Sequence, residues 1–298
     1  SDTNRAAITL PFPDAAPVTN ATLSLSLITI KFEAKIRCGY STILYFCTNK
    51  LYYYVMWKEN LYQPVEVLTR RHTVFPIDEH QHSFFEMVYV HSGSGTFYVK
   101  EGEYRVQQTE YKSHALFLIP PDTVHRFTID SDCEYVFIRF TPHYAADYLG
   151  KHIERALYAS RQQCEMILDE KNLETVCSLF GHIEQEVACP RKYSNYLLQQ
   201  WLNSILVITA ECLMQDSADD NSVMLKPDKA MYMLQYIQQH INQPEMLKTK
   251  ALCNTFNLAS SYVGTFFKRN FQEDLRHYIV RNRLKTVENL LINTTMSI

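Results

Sequence analysis

The sequence predicts an α+β protein: a β-barrel or jelly roll first, a helical segment second, and an all-α helix-turn-helix domain last. Three observations carry that expectation. Between Val65 and Phe140, short runs rich in Val, Ile, Phe and Tyr are separated by turn residues, as in barrels and sandwiches. After Pro142 apolar residues recur every three to four positions, which is the helical period. Near the end, "LKTKALCNTF" and "SSYVGTFFKRNF" flank the tripeptide "NLA", the spacing of two short helices joined by a tight turn.

A chain of 298 residues has room for two domains with real cores. Its 46% hydrophobic and 20% charged composition, with net charge −3, is that of a soluble globular protein. Only 7 glycines argue against a Gly-loop phosphate-binding fold, and the 8 scattered cysteines, with no C-x-x-C pair, read as reduced thiols in a cytoplasmic protein. The charge is uneven. From Asp228 onward there are nine Lys/Arg and five Asp/Glu, a balance of +4, so residues 1–227 carry −7. A basic tail on an acidic body points to a polyanionic partner for the tail.

Taken in order, residues 1–60 form an N-terminal extension, poorly ordered or non-native. "LPFPDAAPVT" is proline-rich, and the aromatic "YSTILYFCTNKLYYYVMW" is interrupted by Thr48, Asn49 and Lys50, short of the roughly 20 apolar residues a membrane span needs. No membrane association is expected, and Met56 is a plausible natural start. Residues 61–142 form the barrel, with strands at "FFEMVYV", "GTFYV", "YRVQ", "ALFLI", "HRFTI" and "EYVFIRF". Turns are expected at Ser92-Gly93-Ser94-Gly95 and Glu101-Gly102, and a corner at Pro120-Pro121-Asp122. Residues 143–214 are a helical cover and dimerisation segment. One apolar stripe runs through Leu173, Val176, Cys177, Phe180, Ile183 and Val187, a second through Leu198, Trp201, Leu202, Ile205 and Ile208. Residues 215–227 are polar, acidic and end in proline, as a linker does, and 228–298 form the tail domain.

In the tail, Met233, Leu234, Ile237 and Ile241 face inward, as do Val263, Phe266, Phe267 and Tyr262. Asn257 suits the left-handed backbone of the turn. Ser260, Ser261, Gly264, Thr265 and Lys268 then share the opposite face of the second helix. Such a polar row is what a helix in the major groove presents to bases, with Lys268 and Arg269 placed for phosphates. A solvated outer face of a helical bundle has the same pattern. In the barrel, alternation puts His80 and His82 on one strand face with Glu86 four residues on, either a metal grip or the polar lining of a small-molecule pocket. His80, His82, Glu86, Tyr98, His125 and Arg139 are the lining candidates, while Tyr89 and Phe97 belong to the core. No G-x-S-x-G, P-loop or Cys–His arrangement is present, so neither enzymatic activity nor a cofactor is expected.

The segment 236–298 resembles the AraC/XylS family of transcription regulators through "YIQQHI", "ALCNTFNLASSYV", "FFKRNF" and "RLKTVENLLINTTMSI". Upstream, "HQHSFFEMVYVHSGSGTFYV…ALFLIPPDTVHRF" resembles the cupin-like sensor domain in front of many of these proteins. The resemblance implies a cytoplasmic, usually dimeric, ligand-responsive DNA-binding regulator sensing a small molecule, for example a sugar-like one. It also matches His80, His82, Glu86 and His125 to the three-histidine, one-glutamate cupin metal site, the basis of the alternative reading as a metal-dependent cupin enzyme. Several positions depart from the pattern. The sequence stops at Ser297-Ile298, where the family's second helix-turn-helix begins, so DNA binding is expected to be weak or to need a dimer. The usual serine cap falls on Ala259, leaving the role to Ser260 or Ser261. Gly264 and Thr265 replace a Ser-Arg pair, which removes a guanine contact worth about 1–3 kcal/mol of discrimination. His114-Ala115 replaces Gly-Asp, and Gln272 replaces a glycine, so that helix end is expected to be shaped differently.

Overall fold

The computed structural model describes residues 42–47, 50–55, 57–101, 105–161, 163–216 and 229–293. The proline-rich stretch, Met56, Gly102, most of the expected linker and the final five residues lie outside them. Strand β1 (Thr42–Cys47) pairs antiparallel with β2 (Lys50–Val55) in a sheet of their own. The main sheet has seven strands: β3 (Trp57–Glu59), β4 (Val65–His72), β5 (His80–His82), β6 (Phe85–Glu101), β7 (Arg105–Tyr111), β8 (Leu116–Ile119) and β9 (His125–Phe140). Its order is β3-β5-β9-β6-β7, with β4 also on β9 and β8 also on β6. Residues 57–59, assigned by sequence to the extension, are thus a strand of the sheet, parallel to β5.

The expected turn at Ser92–Gly95 is not a turn. β6 runs through it unbroken, with register shifts against β9 between Val90 and Ser92, Ser92 and Ser94, and Ser94 and Gly95. β9 likewise joins the two separately expected strands "HRFTI" and "EYVFIRF". The glycines mark bulges rather than a reversal. Gly93 sits at φ 102°, and a Cβ there would lie 2.5 Å from Asp132 O; one on Gly95 would lie 2.0 Å from Thr128 O. Only residues without a side chain let the two long strands bend around each other at this point. The corner at Pro120-Pro121 is present, with Asp122 at φ 61°.

Residues 85–90 are all buried, because this part of the sheet is covered on both sides. Val88, Val90, Phe97, Phe117, Ile119, Phe127, Tyr135 and Phe137 fill the inside of the curled sheet. Phe85, Met87, Tyr89, Leu116, Leu118, Val136, Ile138 and Phe140 point the other way, against helices. Those helices are α1 (Pro142–Leu149), α2 (Lys151–Leu157), α3 (Glu170–Ala188) and α4 (Ser194–Asp216). Thr141 caps α1 by accepting from Tyr144 N, and Asp169 caps α3 by accepting from Asn172 N. Val176, Phe180 and Ile183 of α3 and Leu202, Ile205, Leu206 and Ala210 of α4 seal the outer core. Leu173, expected on that stripe, is exposed. By length and composition α4 is long and apolar enough to cross a bilayer, but its Leu202–Ala210 face is committed to this core.

The tail comprises α5 (Lys229–Gln239), α6 (Thr249–Phe256), α7 (Ser260–Phe271) and α8 (Leu275–Asn293) around Met233, Leu234, Ile237, Leu252, Phe256, Val263, Phe267, Phe271 and Tyr278. Asn257 takes the left-handed conformation at φ 47°, ψ 57° that turns the chain from α6 into α7. Gln272 does the same at φ 56°, ψ 16°, its N–H donating to Lys268 O. The end of α7 therefore keeps the cap a glycine would give, contrary to the expected difference in shape.

Candidate functional site

Within the curled sheet, β5 supplies His80 and His82, β6 Glu86, and β9 His125 and Arg139. Strand register assembles them: His80 pairs with His125, Glu86 with Arg139, and Glu59 of β3 with His82. All five are buried, His82 completely. Arg139 donates from Nε to Glu86 Oε1 (2.8 Å) and from a terminal nitrogen to Glu59 Oε1 (3.0 Å) and, at 3.5 Å, Glu66 Oε2. Glu59 and Glu66 escaped the sequence reading. Glu66 lies opposite Arg139 on β4, a register nothing local announces, and Glu59 fell in the stretch set aside as extension.

Each histidine is oriented by its own backbone. His80 Nδ1 lies 2.9 Å from Asp78 O, His82 Nδ1 2.7 Å from Phe84 O, and His125 Nδ1 3.0 Å from Thr123 O. A carbonyl oxygen only accepts, so each Nδ1 carries the hydrogen, and a neutral ring so arranged has a bare lone pair on Nε2. His82 Nε2 and His125 Nε2 are buried without a hydrogen-bond partner. They stand 3.9 Å and 3.7 Å from Glu86 Oε2, beyond hydrogen-bonding reach. Burial, together with the neighbouring His125, holds His80 down at about 4, and burial holds His82 well below its ordinary value. Burial alone would raise Glu86, but Arg139 outweighs it and keeps the carboxylate far below its usual range. Glu59 is raised, by burial above all. The donor atoms of His80, Glu86 and His125 lie within 4.8 Å of one another; His82 is not in this group, although its Nε2 lies 3.9 Å from Glu86 Oε2. Two imidazoles and a carboxylate, each imidazole braced through its second nitrogen, form a donor set that fits a first-row transition metal.

Tyr98 is not part of this cluster. Phe97 and Val99 are buried in the sheet interior, so alternation turns Tyr98 outward, where it stacks under Arg126 with the guanidinium 3.8 Å from the ring centroid. Phe97 is core, as expected, and so is Tyr89, which stacks on Phe180. The substituted loop at His114 takes φ 72°, with its Nδ1 2.7 Å from Tyr89 Oη.

On α7, Ser260, Ser261, Gly264, Thr265, Lys268 and Arg269 are all exposed, while Val263, Phe267 and Phe271 are buried. Tyr262, expected inside, is 39% exposed. Neither serine caps the helix: the N-cap is Ala259, which provides no side-chain acceptor. Lys268 pairs with Asp274 at 3.3 Å, an exposed pair that costs little to exchange for a phosphate.

Residues 63–183 match the family model described as the AraC-like ligand binding domain. No curated protein matches the chain. Among solved structures, the AraC-like transcriptional activator CuxR is 13% identical, covering 70% of this chain and 68% of that one with a TM-score of 0.41. Oxalate decarboxylase from Bacillus subtilis is 16% identical over 26% of this chain and 21% of its own, TM-score 0.25. A cupin protein from Bacteroides fragilis is 20% identical over 26% and 67%, TM-score 0.23. Likenesses this distant bear on neither activity nor ligand.

Proposed function

We propose that this protein is a cytoplasmic, ligand-responsive DNA-binding transcription regulator of AraC type. An effector enters the barrel at His80, His82, Glu86, His125 and Arg139, and α7 lies in the major groove with Ser260, Ser261, Gly264 and Thr265 toward the bases and Lys268 and Arg269 toward phosphates. The observation that carries the reading is the pairing, in one chain, of an enclosed polar cluster inside an AraC-like ligand binding segment with an exposed polar row on the second helix of a helix-turn-helix. Homodimerisation through the helical cover fits the apolar residues that α4 leaves exposed, Tyr196, Val207 and Met214.

The test is a fluorescence anisotropy titration against a duplex selected by the protein from a random pool. Binding that falls about tenfold or more when Ser261 and Thr265 are both replaced by Ala, and that shows the same preference in no scrambled duplex, supports the reading. Equal affinity for selected and scrambled duplexes, or none for either, overturns it. The cluster's donor set also favours a second reading, a metal-dependent cupin enzyme built on His80, His82, Glu86 and His125; substrate turnover by metal-loaded protein would identify it.

A further inference from the structure

We propose that Cys177, His114 and Tyr89 form a peroxide-reactive thiol site, with Cys177 Sγ as the atom oxidised and small hydroperoxides as the substrate class. The site lies on the helix-covered side of the sheet, away from the histidine–glutamate cluster, and the inference stands apart from the regulator reading. Three elements bring the side chains together. Cys177 is half-buried on α3, Tyr89 is buried on β6, and His114 is exposed in the turn between β7 and β8. His114 Nδ1 lies 2.7 Å from Tyr89 Oη and 3.7 Å from Cys177 Sγ, and Tyr89 is itself hydrogen-bonded to Cys177. A nucleophile with a base in reach, and a third group fixing the base, is the arrangement of an activated thiol. Cys177 and His114 are 63 positions apart, so no spacing in the sequence announces them.

The backbone holds the imidazole there at a conformational cost. His114 has φ 72°, a conformation that glycine takes without strain. Its N–H donates to Val90 O at 2.7 Å, and Val90 N donates to Ala115 O at 2.9 Å, which fastens the turn to β6 beside Tyr89. From the other side, Phe180 stacks on Tyr89 at 4.2 Å and Glu184 Oε2 lies 3.0 Å from His91 Nδ1. These contacts lie one and two turns beyond Cys177 and fix the rotation of α3, so the thiol is presented to the ring.

The reaction follows from what each group can give. His114 Nδ1 takes the thiol proton, and Tyr89 Oη–H donates to the thiolate. The thiolate attacks one oxygen of the hydroperoxide: an S–O bond forms as the O–O bond breaks. Sulfur loses two electrons, and the peroxide is reduced to water or an alcohol, its departing oxygen taking the proton back from His114. The protein product is the sulfenic acid of Cys177. Two features favour a hydroperoxide over a carbon electrophile. The departing oxygen needs a proton donor, which the imidazole supplies, and a half-buried sulfur admits a small oxidant more readily than a bulky reagent.

The experiment uses the full chain, reduced, with hydrogen peroxide as the probe and dimedone as the trap. Peptide mass spectrometry follows sulfenic and sulfinic products at each cysteine. Cys189, at the end of α3, is exposed and serves as the internal reference, because accessibility alone would make it the faster of the two. At pH 7, Cys177 is expected to react at least about tenfold faster than Cys189. In H114G, whose glycine suits the turn, Cys177 is expected to slow at least about tenfold while Cys189 is unchanged. H114N, whose side chain tolerates the same backbone, serves where the glycine variant shifts the urea midpoint. Y89F keeps the ring on Phe180 and is expected to slow Cys177 by roughly threefold. Cys177 reacting no faster than Cys189, or as fast without the imidazole as with it, overturns the proposal.

Discussion

Arg139 shows most clearly how one residue organises the barrel interior. It is the counter-ion of Glu86, which is buried, and of Glu59, which is partly buried. Arg139→Met is expected to cost about 3–5 kcal/mol in chemical denaturation, since it strands charge in a low-dielectric interior. The histidines give the pH dependence of stability its sign. His80, held at about 4 rather than 6.5, binds its proton more readily in the unfolded chain. Between roughly pH 6.5 and 4 the unfolded state therefore holds more protons, and stability falls as pH drops, by at most about 3 kcal/mol from this residue. His82 acts in the same direction. Urea midpoints at pH 7 and pH 5 for wild type and His80→Gln check this: the variant is expected to lose less stability on acidification. His80, His82 and Glu86 could be read from the sequence because alternation and spacing announce them, and His125 because the resemblance to a cupin-like sensor domain implied it. Glu59 and Glu66 could not, because their partner lies about 70 to 80 residues away in sequence and only register brings it close. Tyr98 was misplaced for the complementary reason: a polar tip on an aromatic ring says nothing about which face it occupies.

At the level of elements, the helices were more legible than the strands. The stripes through α3 and α4 appear as expected, apart from the exposed Leu173, because a 3.6-residue period is visible in one dimension. Phe180, stacked at 4.2 Å on Tyr89, anchors α3 to the sheet, and Phe180→Ala is expected to destabilise by about 3–5 kcal/mol in thermal or urea unfolding. The bulge at Gly93 and Gly95 misled the sequence reading, since Ser-Gly-Ser-Gly is equally a turn and a place where two backbones nearly touch. The start of α7 offers a gain rather than a loss. Ala259 has the extended backbone of an N-cap, φ −64° and ψ 143°, but no acceptor. Ala259→Ser is expected to stabilise the protein by about 1 kcal/mol, read as a higher urea midpoint with an unchanged slope.

The whole molecule divides into an acidic front and a basic tail, and that asymmetry should show in solution. If α7 sits in the groove with Lys268 on a phosphate, the logarithm of duplex affinity falls linearly with the logarithm of salt, and Lys268→Ala lowers the slope by about 1 while weakening all sequences alike. An unchanged slope would place Lys268 off the DNA. The charge asymmetry and the helix-turn-helix were both plain in the sequence. The joint between the two halves was not: Lys58, Asn60 and Tyr62 reach Asn270, Phe271 and Glu273, contacts between segments that share no motif.

That joint has a consequence for how the molecule comes into being. Asn60 and Phe271 are separated by 211 positions, so the clasp between them closes only once the whole stretch from one to the other has left the ribosome. The end of α7 is therefore seated only after the strands of the main sheet have been made. A fusion tag placed shortly before Trp57 and a cut within α8 would disturb one and the same fastening from opposite ends of the chain.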